Sequence, residues 1–501
     1  MDKIKLFIEK SYKTIAYVAI ICLLILINYY HIFTTGGILA SIQNIAFVIA
    51  ELTILILLNV FIIDKIKPKV QKVLIIVFMI LFVVLTVSSS YYFRVKYNWD
   101  FKWVMDSAKD IANIGKTENI YYFKIFPNNL GSLIISTIAM KIFFGKEIGA
   151  YVVNIVFIFL AALFAVLSAK KIGGNKLALN TIIFIICSAP LYLYAPIIYS
   201  DTLSVAFPVM TLYFWLTAKE QKEKSKRNYY LAIIAMTIAA VIGYCVKPVA
   251  AIVFVAIIID EFFTNKKVLK SGAIAIVLFI ILITAFNKVT SKWILRDERK
   301  NEHEYPMTHW IMMGLNTPED EGGSSIGYGA YSQDDSNYTA TSGNYEEKKK
   351  ANIEKIKERL KDFGPKGYIK FLYKKIRYVW NDGTYYMANI IGWDTINTTS
   401  LPYKIVLGEK SKVTKQAMTY FNNTLFLIIL LGFCLDLKGT NQPQRILGIS
   451  MVGIAMFLVL WEARSRYIYF MIPVFCNLGA IGIESINNRF KNIINKKGDK
   501  G

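Results

Sequence analysis

A chain of 501 residues that is 55% hydrophobic, with a mean hydropathy of +0.42, is too apolar for a soluble protein of its size. Its net charge of +23 would point to nucleic acid in a soluble chain, but the lysines and arginines are spread over short loops and both tails. That is the distribution membrane orientation requires, and it sets nucleic-acid binding aside.

The first apolar run, near residues 12–33, is too long for a cleavable signal and no small-residue cleavage site follows it. It opens a series of about twelve predicted spans: 12–33, 38–63, 71–92, 147–168, 177–198, 203–218, 229–246, 249–264, 271–287, 421–437, 445–461 and 466–485. The expected fold class is therefore an all-α polytopic membrane protein with a mixed extracytoplasmic segment. Cys22, Cys187, Cys245, Cys434 and Cys476 all lie in or at apolar segments, which argues against a disulfide framework or a cysteine zinc site. Abundant Lys, Ile and Asn resemble a low-GC bacterial proteome, so the membrane expected is the bacterial plasma membrane.

The basic loops fix the predicted sides. Lys3, Lys5, Lys10 and Lys13 place the N-terminus inside, as do the four lysines of Asp64–Lys72, the loops Lys170–Lys176, Lys219–Arg227 and Lys266–Lys270, and the tail beyond Arg489. Between residue 128, outside, and residue 170, inside, an odd number of crossings is needed, yet two apolar stretches lie there. The shorter, 129–144, contains Lys141 and is read as a helix on or dipping into the outer face. Four units follow: an N-terminal hairpin (1–70), a transmembrane core (71–287) with an outer loop (93–146), an outer segment (288–420) too long to be a passive connection, and the C-terminal helices with a basic tail (421–501).

Near the membrane edges, four positive residues stand out against the rule. Lys124, Lys247, Arg464 and Arg466 fall on the predicted outer side, near Asp100 and Asp201. Positive charge beside carboxylates at a membrane surface suggests an outward-facing site for an anionic, phosphate-bearing substrate. Asp100, among Trp99, Phe101 and Trp103, suits a general base; Trp99, Trp103, Tyr121 and Tyr122 suit either the membrane interface or stacking on a sugar. Asp106 and Asp110, with Lys102 and Lys109, read as the solvated face of a short helix. Asp201 in Ser200-Asp201-Thr202 either caps a helix or joins the same outer face. Lys247 precedes Pro248 between two apolar runs, where a lysine either snorkels or binds an anion. In Trp461-Glu462-Ala463-Arg464-Ser465-Arg466-Tyr467, two arginines two apart could grip a phosphate in a fork, with Glu462 orienting one of them. Glu51 is a lone carboxyl in mid-span. In the outer segment stand His303 and His309, the Gly-rich stretch Glu321–Ala330, the pair Asp334-Asp335 and a candidate helix from Glu346 to Phe363. Two histidines without a metal-binding spacing are a weak metal signal.

The order of these features resembles the C-type membrane glycosyltransferases, in particular the bacterial protein-mannosyltransferase and aminoarabinose-transferase-like members (glycosyltransferase family 39-like). Phe123-Lys124-Ile125-Phe126-Pro127 resembles their segment near the donor phosphate, Val246-Lys247-Pro248 a lysine at a matching helix end, and Glu462–Tyr467 an Arg/Tyr segment near the chain end. The resemblance implies transfer, with inversion, of a sugar from a polyprenyl-phosphate donor in the bilayer to a hydroxyl of a cell-envelope glycan, glycolipid or protein. It implies catalytic roles for Asp100 and Asp201, and donor-phosphate binding by Lys124, Lys247, Arg464 and Arg466. Trp99, Tyr121, Asn128, Glu462 and His309 would line the substrate. No cofactor is implied with certainty; a divalent cation stays open, because Asp100 is not in an Asp-x-Asp or Asp-Glu doublet. The alternatives are a transporter or flippase of lipid-linked sugars and a non-catalytic envelope-assembly protein.

Overall fold

The computed structural model describes residues 2–33, 37–265, 269–295, 303–318, 327–392 and 395–498. Among them the chain is entirely helical, apart from one isolated antiparallel bridge between Val95 and Thr395. Nine helices are long and apolar enough to cross a membrane. The chain is an integral multi-pass membrane protein.

Three long helices come first: α1 (Asp2–Ile32), α2 (Gly37–Leu57) and α3 (Pro68–Tyr92). The loop region that follows is built of α4 (Trp99–Ile114), α5 (Ile120–Ile125) and α6 (Leu130–Ile142). At 13 residues α6 is about 20 Å long, too short to span, and it packs against α4 and the next helix, α7 (Ile148–Cys187). After α7 come two single turns, α8 (Pro190–Leu193) and α9 (Ser200–Leu203), then α10 (Phe207–Gln221), α11 (Lys226–Val246), α12 (Ile252–Thr264) and α13 (Leu269–Trp293).

The count of nine against the expected twelve has local causes. Predicted spans 147–168 and 177–198 correspond to the two arms of α7, which meet at a kink at Gly173 and Gly174 with no loop between them and so count once; the second arm ends at Cys187. Gly174 has φ +75°, open to glycine without strain. Predicted spans 203–218 and 249–264 become helices of 15 and 13 residues, shortened by Pro208 and Pro248 at their starts.

Among its described residues, segment 288–420 is helical rather than mixed. It contains α14 (Met307–Met313), α15 (Gln333–Thr341), α16 (Tyr345–Trp380), α17 (Met387–Gly392) and α18 (Leu401–Val406). The candidate helix Glu346–Phe363 is the first half of α16. Asn344 and Glu347 open it with a reciprocal cap, and Gly364, at φ +56°, redirects it before Pro365. Residues 321–326 of the Gly-rich stretch lie outside the described residues.

Then come α19 (Ser411–Leu435), α20 (Gln442–Leu460) and α21 (Ile472–Gly498). The last is the most deeply buried span, packed against α7 and α19, whereas α13 and α2 are peripheral. A Cβ on Gly432 would meet Gly482 Cα at 2.6 Å, so two glycines let α19 and α21 approach backbone to backbone.

At one end of the bundle a chain of polar contacts joins the helix termini: Asp64 with Lys176 and Lys491, Lys171 with Glu220, Lys219 with Gln442, and Gln442 with Asp260. Lysines crowd the short helix connections at this end, which is called the basic end. The opposite end carries α4, α5 and the segment from Tyr305 to Trp380.

Candidate active site

Proline 248 starts the site. The residue before a proline is pushed out of the helical region, and Lys247 closes α11 in extended geometry (φ −152°, ψ 107°). Its ammonium pairs with Asp201, which is 1% exposed in the single turn α9. Burial pulls the Lys247 ammonium below its usual range, and Asp201 opposes that fall. Arg466 is the second cation on Asp201, its Nε 3.9 Å from Oδ2. The guanidinium lies over three rings, Trp99, Tyr467 and Tyr199, at 5.1, 5.3 and 5.9 Å. Its Nε is buried without a hydrogen-bond partner.

Tyr199 and Trp99 carry this cluster across to Asp100. The two rings meet edge-on at 5.0 Å. Asp100 accepts a hydrogen bond from Tyr122 Oη at 2.8 Å and lies 3.2 Å from Tyr199 Oη. Asn129 braces both phenols, donating to Tyr122 Oη at 2.6 Å and accepting from Tyr199 Oη at 2.9 Å. Burial first, and then the Asp100 charge, push both tyrosine hydroxyls well above their ordinary range. Both keep their protons, Tyr122 giving its own to Asp100 and Tyr199 giving its own to Asn129.

Trp99 and Tyr386 hold positive φ (40° and 65°), rare for aromatic residues. Their rings lie against Arg466 and Arg464 respectively. Backbone strain of this kind, worth on the order of 1–3 kcal/mol per residue, gathers at functional positions.

The expected single fork of Arg464 and Arg466 is replaced by two separate seats. Arg464 lies over Tyr386 and Tyr331, at 5.2 and 5.9 Å, and shares none of Arg466's ring partners. Arg464 is extended and the next seven residues form a 3-10 helix, so two positions on the side chain has turned about 240° round the axis. Glu462 accepts from Tyr467 Oη at 2.7 Å and so orients that ring rather than an arginine. Tyr467 in turn lies under Lys247 at 5.1 Å.

Other expected residues fall outside this cluster. Tyr121 is exposed and packs on His303, and Asn128 is exposed beside the buried Asn129. Lys124 is half-buried on α5, two residues past Tyr122. His309 is buried, its Nδ1 2.7 Å from Thr339 Oγ1, which donates onward to Asn352 Oδ1 at 3.0 Å. Nδ1 therefore carries the proton of a neutral imidazole, and burial pushes its pKa down to about 3. Asp335 is held by Arg359 through two bonds of 2.8 and 3.0 Å, a structural pairing. Among the described residues no three His, Cys, Asp or Glu side chains are grouped to hold a metal ion.

Sequence reasoning gave no individual role to Asn129, Tyr199, Tyr467 or Asp382. Asp382 accepts from Thr384 N, Thr384 Oγ1, Tyr386 N and Ser465 Oγ, fixing the strained turn beside Arg464. Lys375, 1% exposed, donates to the carbonyls of Gly314, Trp461 and Val459 at 2.6, 2.7 and 3.0 Å. It clamps α16 and the Trp310–Gly314 turn onto the end of α20. Glu462 N donates to Trp310 O and Ala463 N to Gly329 O, so the segment after α13 covers the arginines directly.

An apolar groove of about 490 Å³ opens beside the cluster, between α6, α11 and α13. Its wall includes Ile135, Ile238, Leu282 and Phe286, and it reaches Cys245 and Val246, next to Lys247. Gly131 lets α6 lie directly on the Cys245 carbonyl at this point.

Two crystal structures of ArnT from Cupriavidus metallidurans are similar to this chain. The apo form has a TM-score of 0.39 at 12% identity, covering 81% of this chain and 77% of that one. The form bound to undecaprenyl phosphate has a TM-score of 0.35 at 11% identity, covering 82% and 77%. No curated protein matches. A family model described as "Conserved hypothetical integral membrane protein" matches residues 11–486, and the chain belongs to that family.

Proposed function

We propose that this protein is a membrane glycosyltransferase that moves a sugar from a polyprenyl-phosphate donor to an acceptor hydroxyl outside the cell, with inversion. The observation that carries the reading is the juxtaposition of an apolar groove with a cationic cluster. The groove reaches Val246, and Lys247 and Arg466 stand at its end on Asp201. A long lipid tail and a phosphate head need that pairing of surfaces in that order. The lysines crowded into the short connections at the basic end support a cytoplasmic reading of that end, with the cluster outside.

In this reading Lys247 and Arg466 hold the donor phosphate, and Asp201 positions both. Lys124, on the same short helix as Tyr122, is the third proposed phosphate ligand. Trp99 and Tyr199 face the sugar. Asp100, braced by Tyr122 and Asn129, takes the proton of the acceptor hydroxyl as its oxygen attacks the anomeric carbon. The bond from that carbon to the phosphate oxygen breaks, and the electron pair leaves on the phosphate, where the cations stabilise it.

The test is transfer from a panel of radiolabelled undecaprenyl-phosphate sugars in proteoliposomes, wild type against Asp100→Asn. Label on an acceptor, or slow release of free sugar, only with Asp100 intact is the expected result. Equal transfer by both proteins, or donor bound without any covalent change, overturns the reading.

A further inference from the structure

The two arginines of the Glu462–Tyr467 segment differ in one respect that the donor reading does not use. Arg466 is partly neutralised by Asp201. The Arg464 side chain makes no hydrogen bond and no ion pair with any described residue, and its Nε is buried without a partner. A guanidinium carries five donors, and leaving a buried one unmade is costly. Nearby carboxylates are committed elsewhere: Asp382 accepts four hydrogen bonds and Glu462 takes the Tyr467 hydroxyl. Two tyrosine rings fix the guanidinium plane, one of them, Tyr386, on strained backbone. Tyr331 is 37% exposed, so the seat opens to solvent there. The same tyrosine lies toward the proposed base. Burial raises its hydroxyl, a hydrogen bond with Ser336 opposes this, and the charges of Asp100 and then Glu462 add to the rise.

We propose that Arg464, between Tyr331 and Tyr386, is a second anion site that holds an oxyanion of the acceptor, a phosphate or a carboxylate, while Lys247 and Arg466 hold the donor. This rests on the transferase reading for its role, though not for its geometry. It defines the acceptor class as an anionic envelope polymer or glycolipid. A planar guanidinium held by rings and open on one edge matches the two oxygens of such a group. Tyr331, which also feels the Asp100 charge, puts the seat on the side of the proposed base, where an anchored acceptor would present a hydroxyl.

The experiment uses the full-length protein in nanodiscs and four probes: a short poly(glycerol phosphate), an oligogalacturonate, an uncharged malto-oligosaccharide and undecaprenyl phosphate. Wild type is expected to bind at least one anionic oligomer more tightly than the neutral one, and the oligomer preferred identifies phosphate or carboxylate. Arg464→Gln is expected to weaken that binding about tenfold or more and to leave undecaprenyl phosphate affinity unchanged. Arg466→Gln is expected to do the reverse. Arg464→Lys keeps the charge without the planar fork, and should retain part of the affinity if the fold is intact. Equal binding of charged and neutral oligomers overturns the proposal, as does a loss of undecaprenyl phosphate in Arg464→Gln matching that in Arg466→Gln. If wild type transfers no sugar yet binds anions through Arg464, the transferase reading fails and the anion site stands.

Discussion

Arg445 and Arg466 are both buried arginines beside a buried aspartate, at opposite ends of the bundle. At the basic end, Arg445 meets Asp260 with two bonds of 2.6 and 3.0 Å and gives Nη1 to the Gly439 carbonyl at 2.6 Å. Asp260 also accepts from Tyr12 at 3.0 Å and Gln442 at 2.8 Å. Each Arg445 nitrogen and both Asp260 oxygens have a protein partner, and α1, α12 and α20 are tied together by the pair. At the site end, Arg466 stands 3.9 Å from its aspartate, surrounded by rings, with Nε unpaired. The Arg464 side chain has no hydrogen-bond partner and no ion pair among the described residues. A saturated cluster holds helices; an unsaturated one, kept in place by aromatic packing and strained backbone, leaves hydrogen-bonding capacity for a ligand.

The sharpest way to break that contrast is to show that the site end is structural. Asp100→Asn is expected to lower transfer by about 10²–10⁴-fold, the usual worth of a general base, with little change in thermal midpoint. The basic end should do the opposite. Arg445→Ala leaves Asp260 buried and unpaired, and is expected to cost about 3–5 kcal/mol of stability, read as a lower unfolding midpoint in detergent. The folded fraction should still bind donor as wild type does.

A third test concerns His309, a saturated residue within the segment that covers the site. Its folded pKa of about 3 lies below the unfolded value near 6.5. Between those values the unfolded chain takes up a proton that the folded chain refuses, so stability falls as pH drops below 6.5. The loss at pH 5 is expected to be about 2 kcal/mol, read as the pH dependence of the thermal midpoint. It should flatten in His309→Asn. The smallest effect is expected from Lys102→Ala, which removes an exposed pair with Asp106 at 3.7 Å. Stability should change by less than about 0.5 kcal/mol and transfer not at all.

Much of the architecture was legible because hydropathy marks spans and proline marks their ends. Lys247 could be singled out because Pro248 follows it, and the structure places it against Asp201. The shortening of 203–218 and 249–264 was not legible, since buried short helices and spans share the same apolar composition. Asp100 was visible as a carboxylate among aromatics, but its partner Tyr199 lies 99 residues away, and no local pattern announces a contact of that range. Asn128 was chosen where Asn129 does the bracing, because a 3-10 turn at Pro127–Asn129 decides which amide points inward. The two arginines looked like one fork because a spacing of two shares a face only on an extended strand. The 3-10 turn separates them.

The most direct test of the contrast is equilibrium binding of undecaprenyl phosphate to wild type and Arg466→Gln, with unfolding midpoints measured on the same samples. The account predicts affinity weakened about tenfold or more at a nearly unchanged midpoint. Unchanged affinity with a midpoint as low as that of Arg445→Ala would show that Arg466, too, only holds helices together, and would contradict the account.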